Sequence, residues 1–218
     1  MAVARAKRGM PDDWRSVPMP RGVARLPRTN GGIPITYTVA WSSETGPEAR
    51  EDPLLRGFVP AGTLALFHSG AQGQGTPKLA VSDVARTRRV VMAGLCQACG
   101  QKLPGRSASP WRQHPRWLCD LRNQGQEIQI GLRRVPLIVD GWTCEPCLAY
   151  ALRVCPGLVT KAAATGGDGL RLLRVRDAEG VATIEAVEGL DDHVVGWVKI
   201  APTSFEIFTP DEFLALIG

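Results

Sequence analysis

Four of the chain's six cysteines stand as two Cys-x-x-Cys pairs, Cys96 and Cys99 in "LCQACGQKL" and Cys144 and Cys147 in "GWTCEPCLAYALRVCP". One such pair wraps one face of a tetrahedral ion, and two pairs complete a closed set of four thiolates, the ligand set of a structural Zn2+. The first pair is followed by Gly100, which suits a turn whose backbone N–H groups point at the sulfurs. The second runs into "LAYALRV", so Cys144 and Cys147 are expected at a helix start, where the positive end of the helix favours thiolate. A turn-borne pair, a β segment and a helix-borne pair predict a treble-clef-like core around one structural Zn2+. The N-terminus has no apolar signal-like run, so the chain is expected in the cytoplasm, where thiols stay reduced and disulfides are the lesser alternative.

The two remaining cysteines read differently. Cys155 follows Leu148 and Leu152 at helical spacing and is expected as a buried core thiol. Cys119, in "RWLCDLR", stands open between a core residue, a substitute ligand and a reactive thiol near His114.

Other chemistries lack their parts. The stretch between the pairs holds one histidine, His114, without the second ligand that an HNH-type nuclease needs, and "CEPC" lacks the preceding His-x-Glu or Cys-x-Glu of a zinc deaminase. The glycine-rich loop at 70–75 has neither the Lys-Ser/Thr of a P-loop nor Rossmann spacing and reads as a turn. His193 sits beside Asp191 and Asp192, which reads as a solvated turn rather than an acid–base cluster. The chain is therefore expected not to be an enzyme, although an enzyme of unknown class stays open as a third reading.

What remains is basic and aromatic. The net charge of +5 is unevenly spread: residues 1 to 160 carry 21 basic against 11 acidic side chains, and residues 161 to 218 carry 5 against 10. "SPWRQHPRWLCDLRNQ" interleaves Trp111 and Trp117 with Arg112, Arg116 and Arg122, and Arg133 and Arg134 follow. Indole faces stack on bases and guanidinium groups hold phosphates, so these seven residues form the expected nucleic-acid surface. The alternative is that the tryptophans fill the core of the metal subdomain while the arginines solvate it. The acidic C-terminal part makes a protein-interaction or assembly adaptor the runner-up function.

The elements that must position these residues follow from local pattern. Residues 1–30 form a basic, Pro-rich arm; 31–160 form the metal core; 161–218 form an acidic antiparallel β unit with a terminal helix, giving an α+β protein. "GGIPITYTVAW" and "GTLALFHSG" read as strands, and "SDVARTRRVVMAGL" as a helix capped by Ser82 and ended at Gly94, with Arg86, Arg88 and Arg89 on or beside its polar face. "LRLLRVR" and "VATIEAVEG" predict a hairpin around "DAEG", followed by the strands "VVGWVKI" and "SFEIF". Thr209 and Glu212 form a capping box for the last helix. No apolar run reaches the roughly 18 to 20 residues that cross a bilayer, so no membrane association is expected.

"GIPITYTVAW", "LAVSDVARTRRVVMAGLCQACGQKL" and "CEPCLAYALRVCP" together resemble uncharacterised zinc-binding proteins of high-GC bacteria and their phages. The resemblance covers residues 31 to 160 and implies Cys96, Cys99, Cys144 and Cys147 as ligands; it carries over no activity. Replacing Cys144 with serine is expected to unfold the core. A variant that keeps its far-UV circular dichroism and thermal transition without bound metal would overturn that expectation.

Overall fold

A computed structural model of the chain describes residues 14–103, 112–121, 126–158, 170–190 and 193–217. The fold is mixed α+β. Its frame is a long antiparallel hairpin, β8 (Leu170–Ala186) and β9 (His193–Phe208), paired along most of its length. On the free edge of β8 lies β5 (Arg112–Leu121), antiparallel; on the free edge of β9 lies β3 (Ala65–His68), parallel through Ala65 and Val195, and then β2 (Pro47–Arg50). Two small sheets stand apart, β1 (Val39–Trp41) with β4 (Pro77–Ser82) and the hairpin β6 (Glu127–Ile130) with β7 (Arg133–Pro136). The central sheet thus takes strands from both sides of the boundary expected at residue 160.

The "DAEG" hairpin does not form. β8 runs through Asp177–Gly180, which pair with Ser204, Pro202, Ala201 and Ile200 of β9. The turn preference of these four residues is absorbed as register shifts on both sides of Asp177, next to the Ala178–Pro202 pair, where the missing N–H of Pro202 is tolerated at a bulge. The reversal comes after Ala186, where Gly189 adopts φ 86°. "VVGWVKI" and "SFEIF" are consequently one strand rather than two, because β8 offers an unbroken partner. The strand expected over Gly31–Trp41 is shorter, since only Val39–Trp41 finds a ladder, against β4.

Both faces of the central sheet are covered. Leu118 of β5 and Leu173 and Val175 of β8 face one core, with Val91, Trp142, Val198 and Ile200; Trp117 and Cys119 of β5 and Leu170 and Leu172 of β8 face a second core, with Leu148, Leu152 and Phe213. That alternation is the two-residue period of a strand read on both sides. The second core lies under α3 (Glu145–Val154) and α4 (Pro210–Ile217). The capping box of α4 forms as expected: Thr209 N–H donates to Glu212 Oε2 at 2.7 Å, and Glu212 N–H donates to Thr209 Oγ1 at 3.2 Å.

Helix α2 (Val84–Ala93) packs on β9 and β3. Asp83, not Ser82, caps it, with Oδ1 accepting from Arg86 N–H at 2.7 Å, while Gly94 ends it at φ 63° as expected. Its polar face is not solvated throughout. Arg88 is wholly buried, donating from Nε to Asp52 Oδ2 at 2.6 Å and from Nη1 to the carbonyls of Leu66 and Gly196 at 3.1 and 3.2 Å. This one side chain joins α2 to β3, to β9 and to the turn at Asp52.

The described part of the basic arm, residues 14–30, packs on the main core despite its prolines. Residues 14–30 carry a short helix, α1 (Arg21–Ala24), with Val23 buried and Val17, Met19 and Leu26 packed on the main core. Among the described residues no helix is long and apolar enough to cross a membrane.

Replacing Asp52 with alanine leaves the Arg88 guanidinium buried without its counter-charge, which costs about 3–5 kcal/mol. Urea unfolding of the metal-loaded protein should show a loss of that size. A loss below about 1 kcal/mol would mean that the two carbonyl contacts alone carry the buried charge.

Candidate metal centre

Helix α2 ends at Gly94, and the next residues turn at once into the first pair. Cys96 N–H donates to the Gln101 carbonyl at 2.8 Å and Gly100 N–H to the Cys96 carbonyl at 2.7 Å, so the turn closes on itself. Gly100 has φ 70°, and a Cβ there would lie 2.8 Å from the Tyr37 ring. Only glycine meets both demands. The second pair opens α3: Cys144 is its N-cap residue, Pro146 follows in the first turn, and Cys147 is buried at 2% exposure.

These turns bring four sulfurs together. The Sγ atoms of Cys96, Cys99, Cys144 and Cys147 all lie within 4.8 Å of one another. A tetrahedral ion with metal–sulfur bonds of ~2.3 Å needs sulfur–sulfur edges of ~3.8 Å, so the cluster could hold one metal ion after small adjustments. No cysteine forms a disulfide. Backbone N–H groups reach the sulfurs: Cys144 N–H lies 3.4 Å from Cys96 Sγ, and the Gln101 backbone hydrogen-bonds to Cys99.

The crowding shows in the proton affinities. Hydrogen bonds from Cys144 and then Cys147 draw the Cys96 and Cys99 thiols below the ordinary range, while Cys147 is pushed up by its contacts with Cys144, Cys96 and Cys99. Four sulfurs at this spacing cannot all ionise side by side. A bound cation removes that conflict and lets all four ligate.

Gln97, between the first two cysteines, laces the halves together. Its N–H donates to the Trp142 carbonyl at 2.7 Å, its Nε2 to Thr143 Oγ1 at 3.0 Å, and its Oε1 accepts from Gly141 N–H at 2.9 Å. The Thr143 N–H in turn donates to the Trp117 carbonyl at 2.9 Å, tying the second pair to β5. From the other side α1 lies against the cluster: a Cβ on Gly22 would sit 2.9 Å from Cys99 Cβ and 3.1 Å from its sulfur. The sequence offers little sign of either contact, beyond a glycine set among prolines and arginines and an unremarked residue inside a Cys-x-x-Cys.

Of the seven expected nucleic-acid residues, the four whose side chains are described divide between interior and surface. Trp117 is 3% exposed, edge-on to Phe208 and Phe213 with centroids 5.3 and 4.6 Å away. Arg116 is 5% exposed, over the Trp142 ring at 5.2 Å. Both are corrected from surface to interior: β5 is covered on both faces, so neighbouring residues are buried on opposite sides. Trp111 and Arg122 lie outside the described residues, and of Arg112 only the backbone is described, pairing with Asp177. Arg133 and Arg134 are exposed on β7, remote in sequence from the rest. In α2, Arg86 pairs with Glu44 and Arg88 is buried, so Arg89 alone of that trio is exposed.

Cys119 is 7% exposed, and burial, with lesser contributions from Asp140, Cys155 and Asp120, pushes its thiol up to about 12. It is a core residue, packed in the second core with Leu148, Leu152 and Phe213. Cys155 is half-buried at the end of α3, rather than fully inside. The glycine-rich loop is a turn pinned by Ser43 Oγ, which donates to the carbonyls of Ala71 and Gln74 at 3.1 and 2.9 Å.

No family model, no curated protein and no solved structure matches this chain.

Iodoacetamide applied to the metal-loaded protein at neutral pH should modify Cys155 first. Cys119 should react roughly a thousandfold more slowly than a free thiol, given its raised proton affinity. Peptide mass spectrometry reads both; early label on Cys119 would show that the second core opens.

Proposed function

We propose that this chain is a non-enzymatic module organised by one structural Zn2+ in a treble-clef-like layout, and that it binds nucleic acid through exposed basic side chains. The observation that carries the metal part is the set of four sulfurs within 4.8 Å, supplied by two Cys-x-x-Cys pairs. Tetrahedral all-sulfur sites take zinc or iron, and of the two zinc is redox-inert, as a purely structural role requires. Four thiolates fill the ion's coordination, which leaves no position for a water nucleophile. Such sites contribute ~10–16 kcal/mol of apparent binding free energy, comparable to the stability of a whole domain. In a reducing, cytoplasmic setting the thiols remain free for the metal.

The nucleic-acid part rests on charge and exposure. The chain carries +5 overall. Arg133 and Arg134 stand exposed on a projecting hairpin whose tip, Leu132, is wholly exposed, beside Thr203 and Ser204 of β9. Arg21 and Arg25 extend outward from the arm. Guanidinium groups so placed can hold phosphates without prior rearrangement of the fold.

The test has two readouts on the purified chain. Elemental analysis should give one zinc per chain, lost together with folding on chelation. Fluorescence anisotropy with labelled single- and double-stranded oligonucleotides should show binding that weakens steeply with salt and drops at least about tenfold in R133A/R134A. Zinc content without oligonucleotide binding at low salt would remove the nucleic-acid part and leave the metal part standing.

A further inference from the structure

Away from the cysteines, a cleft of about 640 Å3 opens between β2, β3 and the start of α2. It is lined by more charged groups than a plain surface groove needs, and most of them are already neutralised in pairs. Glu44 takes both Nη atoms of Arg86, at 2.5 and 2.8 Å, and also accepts the Trp41 N–H at 2.7 Å. Asp52 is bound to the buried Arg88. Asp83 caps α2 through Oδ1, and its Oδ2 lies 3.5 Å from His68 Nδ1.

Two cations are left over. Arg50 lies with its guanidinium carbon 4.0 Å from the centre of the Phe67 ring, and Arg89 projects from α2; neither has a carboxylate within salt-bridge range among the described residues. Glu51, exposed at the rim, is the one lining carboxylate in no ion pair. His68 is the third group. With Nδ1 turned to Asp83 at 3.5 Å, its Nε2 is the nitrogen available to a ligand.

We propose that this cleft is a phosphate-binding site, in which Arg50, Arg89 and His68 Nε2 hold the oxygens of a phosphate group. The planar fork of arginine matches phosphate geometry, and the Phe67 ring under Arg50 holds that fork flat. The paired acids fix the positions of the cations instead of competing for them: Asp83 orients His68, and Asp52 anchors the turn that follows Arg50. The cleft's volume accommodates a nucleotide as well as a bare ion. The assignment is independent of the nucleic-acid reading, since Arg133 and Arg134 do not line this cleft.

The test titrates the zinc-loaded full chain with adenosine 5′-monophosphate, inorganic phosphate and adenosine, following the His68 imidazole signals by NMR and the affinity by calorimetry. AMP should shift the His68 signals and adenosine should not. R50A and R89A should each weaken AMP binding about tenfold with unchanged thermal stability, whereas R133A/R134A should leave it unaltered. Equal affinity for phosphate and AMP assigns the site to phosphate itself; tighter AMP assigns it to a nucleotide. Unmoved His68 signals, or R50A and R89A variants that bind like the parent, would overturn the proposal.

Discussion

Four sulfur atoms gathered within 4.8 Å are a constraint before they are a function. Packed without a cation, they compete for protons in a partly buried space; packed around one, they become a cross-link between distant parts of the chain. The 44 residues between Cys99 and Cys144 include β5 and the β6–β7 hairpin, so everything between the pairs is held at both ends. The arm is drawn in as well, because Gly22 lets its backbone rest on Cys99. Cys96 and Cys147 belong to the same apolar cluster as Trp142, Leu173 and Ile200. The cluster is thus continuous with the main core, and whatever loosens one loosens the other.

A second polar junction serves the opposite side of α2. Arg88, wholly buried, satisfies a carboxylate and two backbone carbonyls from three separate elements. Such a group is costly to bury and is tolerated only when its partners are complete. α2 therefore has the sulfur cluster at its C-terminal end and a charged lock in its middle, and its N-terminal end opens onto the polar cleft. The helix is the part through which the two candidate sites share one rigid support.

The division of basic side chains between interior and surface follows from the sheet. Arg88 and Arg116 are inside, Arg86 is neutralised by Glu44, and Arg50, Arg89, Arg133 and Arg134 are left facing outward. Counting charges along the chain treats them all alike. What a ligand meets is the smaller set left after burial and pairing; among the described residues it includes Arg50 and Arg89 at the cleft, Arg133 and Arg134 on β7, and Arg21 and Arg25 on the arm.

The sequence by itself determined what depends on close neighbours: two Cys-x-x-Cys pairs, the glycine that lets the first turn, the helix that carries the second, the end of α2 at Gly94 and the capping box of α4. Each is settled by covalent spacing, by a backbone angle or by a hydrogen bond three residues long. Tertiary structure decided what depends on partners far along the chain. Asp-Ala-Glu-Gly became the middle of a strand because β9 supplied a ladder across it, and Trp117 became core because β5 is covered on both faces. Arg88 went inside because Asp52 lies at the end of its reach. Local propensities differ by about a kilocalorie per mole, while a ladder of hydrogen bonds, an aromatic ring's burial or a paired buried charge each outweighs that several times over.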